Sequence, residues 1–454
     1  MTVKNSIYAL VLFFALASTA FAQSGVFVED DKPPFHFEAK ADSENSLYAC
    51  GELAKVDVSL HAAGSENPID GFKFSGEIAG DWGLKKQLQN LDSSRGGYIA
   101  EAALKKPGFV LIKLKFQPAA DAKAYEGLAG IGFDPLKIKP ATLEPTDFDE
   151  FWSKAKEELA SVPLNSKMQP VEIAGAQAGK IECFDIKADC AGGAPVSGYM
   201  ARPTGAKPHS LPAIVTYHGA GVRSALKPLE KASKGFLALD VNAHGIENGQ
   251  PSSYYKTLRN GALKDYQLRD CDNPQKIYFR GMFLRVLRSL EFIKAQPEWD
   301  GRILIVSGMS QGGAQAIVAA ALDPQVSLCV AHVPALCYLA EPLEARGGNG
   351  GWPYFIKTKD GAPESQALVD AVQYYDAATF ARRIKCATLF SVGFIDTVCP
   401  PSTVFAAFNK IINVDNKRIV NNPEGGHTVT QKASEAEERT ISEHLKLMNS
   451  ARIQ

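Results

Sequence analysis

The sequence predicts an α/β protein in which a mostly parallel sheet, flanked by helices, follows a small β-sandwich. Three observations predict it. Apolar runs alternate with helical stretches from Phe148 onward, the earlier part alternates residue by residue with no helical period, and a Pro-bearing stretch separates the two.

Residues 1–22 read as a secretory signal: Lys4, the apolar run Ile7 to Ala17, then Ala20-Phe21-Ala22, a small-x-small site with cleavage expected after Ala22. The run is shorter than the roughly 20 apolar residues of a membrane span, and no Cys adjoins the site for lipidation. A secreted or periplasmic protein without a membrane anchor is expected.

Residues 23–140 read as an Ig-like β-sandwich, with runs such as Val56-Asp57-Val58-Ser59-Leu60 and Val110 to Phe116 divided by Gly, Pro, Asn and Asp. No aromatic platform for a sugar stands out, so a spacer or interface module is the expected role. A linker, Asp134-Pro135 to Pro145, leads into a second domain, residues 141–454. There Thr146 or Asp147 can cap a helix whose first turn is acidic. The runs Pro212 to Tyr217, Gly235 to Val241, Ile303 to Val306, Ser327 to Val333 and Ala387 to Val392 read as buried strands of a parallel sheet. From Lys432, the residues Ala433, Ala436, Ile441, Leu445 and Met448 recur among charges as an amphipathic helix that covers one face.

The chain of 454 residues suggests two or three domains by length. Lys plus Arg number 49 against 50 Asp plus Glu, which leaves no global field to hold nucleic acid or an anionic membrane. An uncharged or weakly charged small substrate is expected. The eight cysteines show no C-x-x-C spacing, and Cys183 with Cys190 is the first pair to test, because a short loop can bring them together.

The chemistry-bearing motif is Gly308-Met309-Ser310-Gln311-Gly312-Gly313, set between the apolar strand Arg302 to Ser307 and the Ala-rich stretch Ala314 to Leu322. A serine in a cramped strand-to-helix turn needs glycine beside it, and the helix then points its positive end at the reaction centre. This is a nucleophile elbow of the α/β-hydrolase fold. Its serine requires a base to take the proton and an acid to fix the tautomer of that base, in the chain order Ser, Asp or Glu, His. Asp396 follows the strand Ala387 to Val392 and is the candidate acid; a turn-forming aspartate is the plain alternative. His427, in the Gly-rich loop Glu424 to His427, is the candidate base, with only His444 later in the chain. Two backbone donors are needed for the oxyanion: Gln311, after the nucleophile, and Ala220, in His218-Gly219-Ala220-Gly221 after an earlier strand. His218 reads as a histidine that braces this loop. No ligand spacing implies a metal, and no cofactor is implied.

With these residues in view, the segment from Phe148 to the C-terminus resembles the acetyl xylan esterase and cephalosporin-C deacetylase family, carbohydrate esterase family 7. The carrying motifs are Asp147 to Trp152, Gly308 to Gly313, Asp396 to Thr403 and Gly426-His427. The resemblance implies removal of acetyl groups from small acetylated carbohydrates such as xylo-oligosaccharides. It also implies a homo-oligomer, whose assembly the added N-terminal region can alter. The chain departs from the family at Ala220, where Tyr is usual, at Asp240 to Ile246, which replaces an Arg-Gly-Gln loop, and at Thr428, where Glu is common. Specificity depends on these positions more than catalysis does. Two rivals are a prolyl-oligopeptidase-like peptidase, for which residues 23–140 are too short and carry no propeller repeat, and a non-catalytic binding protein, against which every triad residue is present.

Overall fold

The computed structural model describes residues 34–92, 97–139, 144–339, 351–356, 358–359, 362–363, 365–412 and 415–450; the predicted signal, residues 1–22, lies outside them. Period-two patterning builds the N-terminal part. In Ala54–Ala62 the residues Ala54, Val56, Val58 and Leu60 are buried while Lys55 and Asp57 face solvent. This strand lies between Phe35–Ala41 and Tyr98–Ala102 in a three-stranded sheet. A five-stranded sheet runs Leu47–Tyr48, Tyr125–Phe133, Gly108–Phe116, Lys73–Gly80, Lys85–Asp92. Val56, Val58 and Leu60 from the first meet Phe74, Ile112, Leu114 and Ile131 from the second in one core.

The larger sheet has nine strands in the order Lys417–Asn422, Ala387–Gly393, Leu328–His332, Trp299–Met309, Leu211–Tyr217, Leu237–Val241, Val196–Pro203, Ile181–Ala188, Lys167–Pro170. The first six are parallel neighbours and the last three are antiparallel. Val215, Val306, Ala331 and Phe390 point to one face, covered by Phe148–Ala160, Tyr278–Lys294, Gln311–Leu322 and Pro401–Lys410. Ile214, Ile305, Val330 and Leu389 point to the other, where Ala436 and Ile441 of Gln431–Ser450 cover them. Burial of each such aliphatic side chain contributes roughly 1.5–3 kcal/mol, so the closing helix is an integral layer. No helix among the described residues is long and apolar enough to cross a membrane.

Two local expectations are corrected, and one feature is added to the sheet. The antiparallel strands were not predicted: Val196–Pro203 carries Ser197 and Gly198 among its buried residues, and a side chain at Gly198 would stand 2.3 Å from the Asp240 carbonyl oxygen. Asp147 occupies the N-cap position without capping the helix, because its carboxylate accepts the Tyr374 hydroxyl at 2.5 Å. All eight cysteines are free thiols, and the proposed pair is split: Cys183 packs with Tyr199, Ala225 and Ala232, whereas Cys190 packs against the main core.

Candidate active site

Ser310 lies between the strand Trp299–Met309 and the helix Gln311–Leu322, at φ 58° and ψ −123°. A side chain forced into positive φ is strained, and surrounding bonds must hold it there. The Ser310 N–H donates to the His332 carbonyl at 2.9 Å, and the Ser310 carbonyl accepts the N–H groups of Ala314 and Ala335. The glycines are required by close approach: a Cβ on Gly312 would sit 2.0 Å from the Tyr217 carbonyl oxygen, and one on Gly308 would sit 2.3 Å from Gly312. The helix N-terminus thus comes against the end of the strand Leu211–Tyr217.

Asp396 and His427 arrive on adjacent loops after Ala387–Gly393 and Lys417–Asn422. The loops touch so closely that a Cβ on Gly393 would stand 2.2 Å from the Gly425 carbonyl oxygen. Asp396 Oδ1 accepts the N–H groups of Val398 and Cys399 at 2.8 and 2.9 Å, and Oδ2 accepts His427 Nδ1–H at 2.8 Å. With Nδ1 protonated by this contact, Nε2 is the lone-pair nitrogen, and it accepts the Ser310 hydroxyl at 2.9 Å. The Asp396 carboxylate is buried and the His427 ring is partly open to solvent. Cys399 lies in the same pocket, its thiol pushed well up by burial and by the neighbouring Asp396 charge.

The opposite side of Ser310 is framed by buried polar side chains, His218, His244 and Gln311. Gly219 lies against Ser310, with its Cβ position 3.6 Å from Ser310 Cβ, so the loop carrying Ala220 borders the serine. His218 Nε2 accepts the Ala243 N–H at 3.1 Å, which leaves Nδ1–H to donate to the Gly219 carbonyl at 2.6 Å. His244 Nε2–H donates to the Gly221 carbonyl at 3.2 Å, and its Nδ1 accepts the Tyr278 hydroxyl at 2.8 Å. Arg285 donates two hydrogen bonds to the Ala243 carbonyl. Burial, with Arg223 nearby, lowers His218 to about 4; burial, with His218 and Arg285, lowers His244 to about 3. Both rings are therefore neutral near pH 7. Gln311 is fully buried, and its Oε1 accepts the Tyr266 hydroxyl at 2.6 Å.

Ser310, His427 and Asp396 thus stand in direct hydrogen-bond sequence, Gln311 follows the serine in the chain, and the loop that carries Ala220 borders it at Gly219. His218 braces the Gly219 loop as expected. Sequence reasoning missed His244, Tyr266 and Tyr278. The departure from the family pattern at Asp240 to Ile246 was the one available signal, since it placed His244 opposite the Gly219 loop. Thr428, another departure, donates its N–H to the Gly426 carbonyl at 2.9 Å and so tightens the His427 turn.

A mostly parallel sheet with a strained serine elbow and an Asp-to-His chain from two later strands defines the α/β-hydrolase fold. The chain is similar to an acetyl esterase of Xylanibacter ruminicola, 29% identical over 415 residues and covering 90% of each protein. It is also similar in structure to the acetyl xylan esterase of Paenibacillus sp. R4, with a TM-score of 0.57 and 29% identity over 68% of this chain and 98% of that one. Acetyl xylan esterase 1 of Thermoanaerobacterium sp. JW/SL YS485 gives a TM-score of 0.58 at 26% identity, over 68% of this chain and 97% of that one. The profile of the acetyl xylan esterase (AXE1) family matches residues 133–443, and the chain belongs to that family. It is a carboxylic ester hydrolase.

Proposed function

We propose that this chain is a secreted serine esterase that removes acetyl groups from small acetylated carbohydrates, xylo-oligosaccharides among them, through an acyl-enzyme. The observation that carries the reading is the continuous chain Ser310 Oγ, His427, Asp396, with contacts of 2.9 and 2.8 Å. His427 Nε2 takes the Ser310 proton as Oγ attacks the acetyl carbonyl, and Asp396 holds the tautomer and steadies the imidazolium. The N–H groups of Gln311 and Ala220 receive the oxyanion. His427 then returns the proton to the departing sugar hydroxyl, and water, activated by the same imidazole, releases acetate.

The substrate class is supported by family membership and by the named activities of the relatives; secretion is supported by the sequence pattern of residues 1–22, an apolar run that ends in the small-x-small Ala20-Phe21-Ala22. Turnover of acetylated xylo-oligosaccharides, of other acetylated sugars and of nitrophenyl acetate should be compared with that of peptide anilides. Acetylated sugars are expected to give the highest kcat/KM and anilides none. Preference for anilides, or equal efficiency on every acetate ester, would contradict a carbohydrate esterase.

A further inference from the structure

The loop that carries Asp396 is held from two directions, and only one of them is the loop of His427. On its other side stands the N-terminal β-region. Within the strand Tyr125–Phe133, Gly130 faces Phe394, two residues before Asp396. A Cβ on Gly130 would lie 2.4 Å from the Phe394 carbonyl oxygen and 2.6 Å from Phe394 Cβ, so backbone packs directly on backbone. Phe109, on the neighbouring strand Gly108–Phe116, packs edge-on against Phe394 at 5.0 Å and lies tilted by 30° against Phe405 at 5.5 Å. Phe109 is itself fixed, since its N–H donates to the buried Asp81 carboxylate at 2.8 Å, and Asp81 also accepts the Ser402 hydroxyl at 3.4 Å. Phe109 and Phe394 are both part of the core of the larger domain.

The geometry points to the N-terminal β-region as a positioning element for the catalytic acid, with Gly130 and Phe109 setting the height of the Phe394 backbone and thereby the reach of Asp396 to His427. This rests on the reading of Asp396 as the acid. A spacer would need neither a glycine at the contact nor an aromatic side chain inserted into the neighbouring core. Gly130 has no left-handed φ to demand glycine, so its lack of a side chain answers to Phe394 alone. Gly127 on the same strand is an internal control: a Cβ there would be as crowded, at 2.4 Å, but against Phe37 within the β-region.

The test is a double-mutant cycle on the full chain with nitrophenyl acetate. Gly130→Ala is expected to lower kcat about 100-fold with KM little changed, the size of loss that a displacement near 1 Å produces. Gly127→Ala should disturb stability without that loss. In the Asp396→Asn background, Gly130→Ala should lower kcat no further, because the path it acts through is already gone. Phe109→Leu provides a second entry to the cycle should Gly130→Ala fail to fold. Full activity of Gly130→Ala and Phe109→Leu, or losses that multiply with Asp396→Asn, would overturn the positioning role while leaving Asp396 as the acid. Full activity of Asp396→Asn alone would overturn the acid assignment and the positioning role together.

Discussion

The two flanks of Ser310 solve different electrostatic problems. On the acid–base flank, a buried carboxylate with three hydrogen bonds faces a partly open imidazole that must gain a full positive charge. On the oxyanion flank, His218 and His244 are kept neutral by burial and spend their hydrogen bonds on the carbonyls of Gly219 and Gly221. In the proposed mechanism the same side chain is thus used once as a proton acceptor and twice as a rigid strut. What separates the roles is burial: it outweighs the carbonyl hydrogen bonds that would favour the charged form of His218 and His244, whereas the His427 ring is partly open to solvent and faces a carboxylate.

Substitution on each flank should expose this difference. Asp396→Asn is expected to reduce kcat by roughly ten-thousand-fold with KM little changed, because the amide leaves His427 in the wrong tautomer. Steady-state kinetics on a small acetate ester would read it, and a wild-type kcat would remove Asp396 from the acid–base flank. Tyr266→Phe and His244→Phe should have smaller effects, about ten- to a hundred-fold in kcat, since they loosen the supports of the oxyanion donors without deleting a donor. A loss in either variant as large as that of Asp396→Asn would erase the distinction between the flanks.

The smallest effect concerns pH. His218 and His244 titrate at about 4 and about 3 in the folded chain, against about 6.5 for an unfolded imidazole. Between those values the unfolded chain binds protons that the folded chain refuses, so stability is undiminished above about 6.5 and falls as the pH drops toward 4. His244→Phe should remove part of that slope. Denaturant midpoints measured between pH 7.5 and 4.5 would check it, and an identical slope in the variant would show that His244 is not the strut described.

Much of the acid–base flank was legible in sequence because the serine turn is local and the triad order is fixed. The glycines around Ser310 and the strand before it are properties of neighbouring residues, and the order Ser310, Asp396, His427 is the chain order the fold imposes across more than a hundred residues. Asp396 even satisfies both of its readings, since one oxygen closes a turn on Val398 and Cys399 while the other holds His427. The oxyanion flank was legible only as two backbone donors. Its struts come from Ala243, His244, Tyr266, Tyr278 and Arg285, which the fold alone brings together. For the same reason Gly130 reads as an ordinary strand glycine until Phe394 is seen against it, and Val196–Pro203 hides as a strand because its small buried residues answer to Asp240 on a neighbouring strand.

The proposed mechanism turns on Ser310 as the nucleophile. The direct measurement is reaction with a serine-directed phosphonofluoridate, followed by mass mapping of the modified peptide and by assay of residual esterase activity. Stoichiometric modification of Ser310 with loss of activity in parallel is the expected result, together with no labelling of a folded Ser310→Ala protein whose turnover is down by about a million-fold. An unlabelled, fully active enzyme, or a label on another residue while Ser310→Ala remains active, would contradict it.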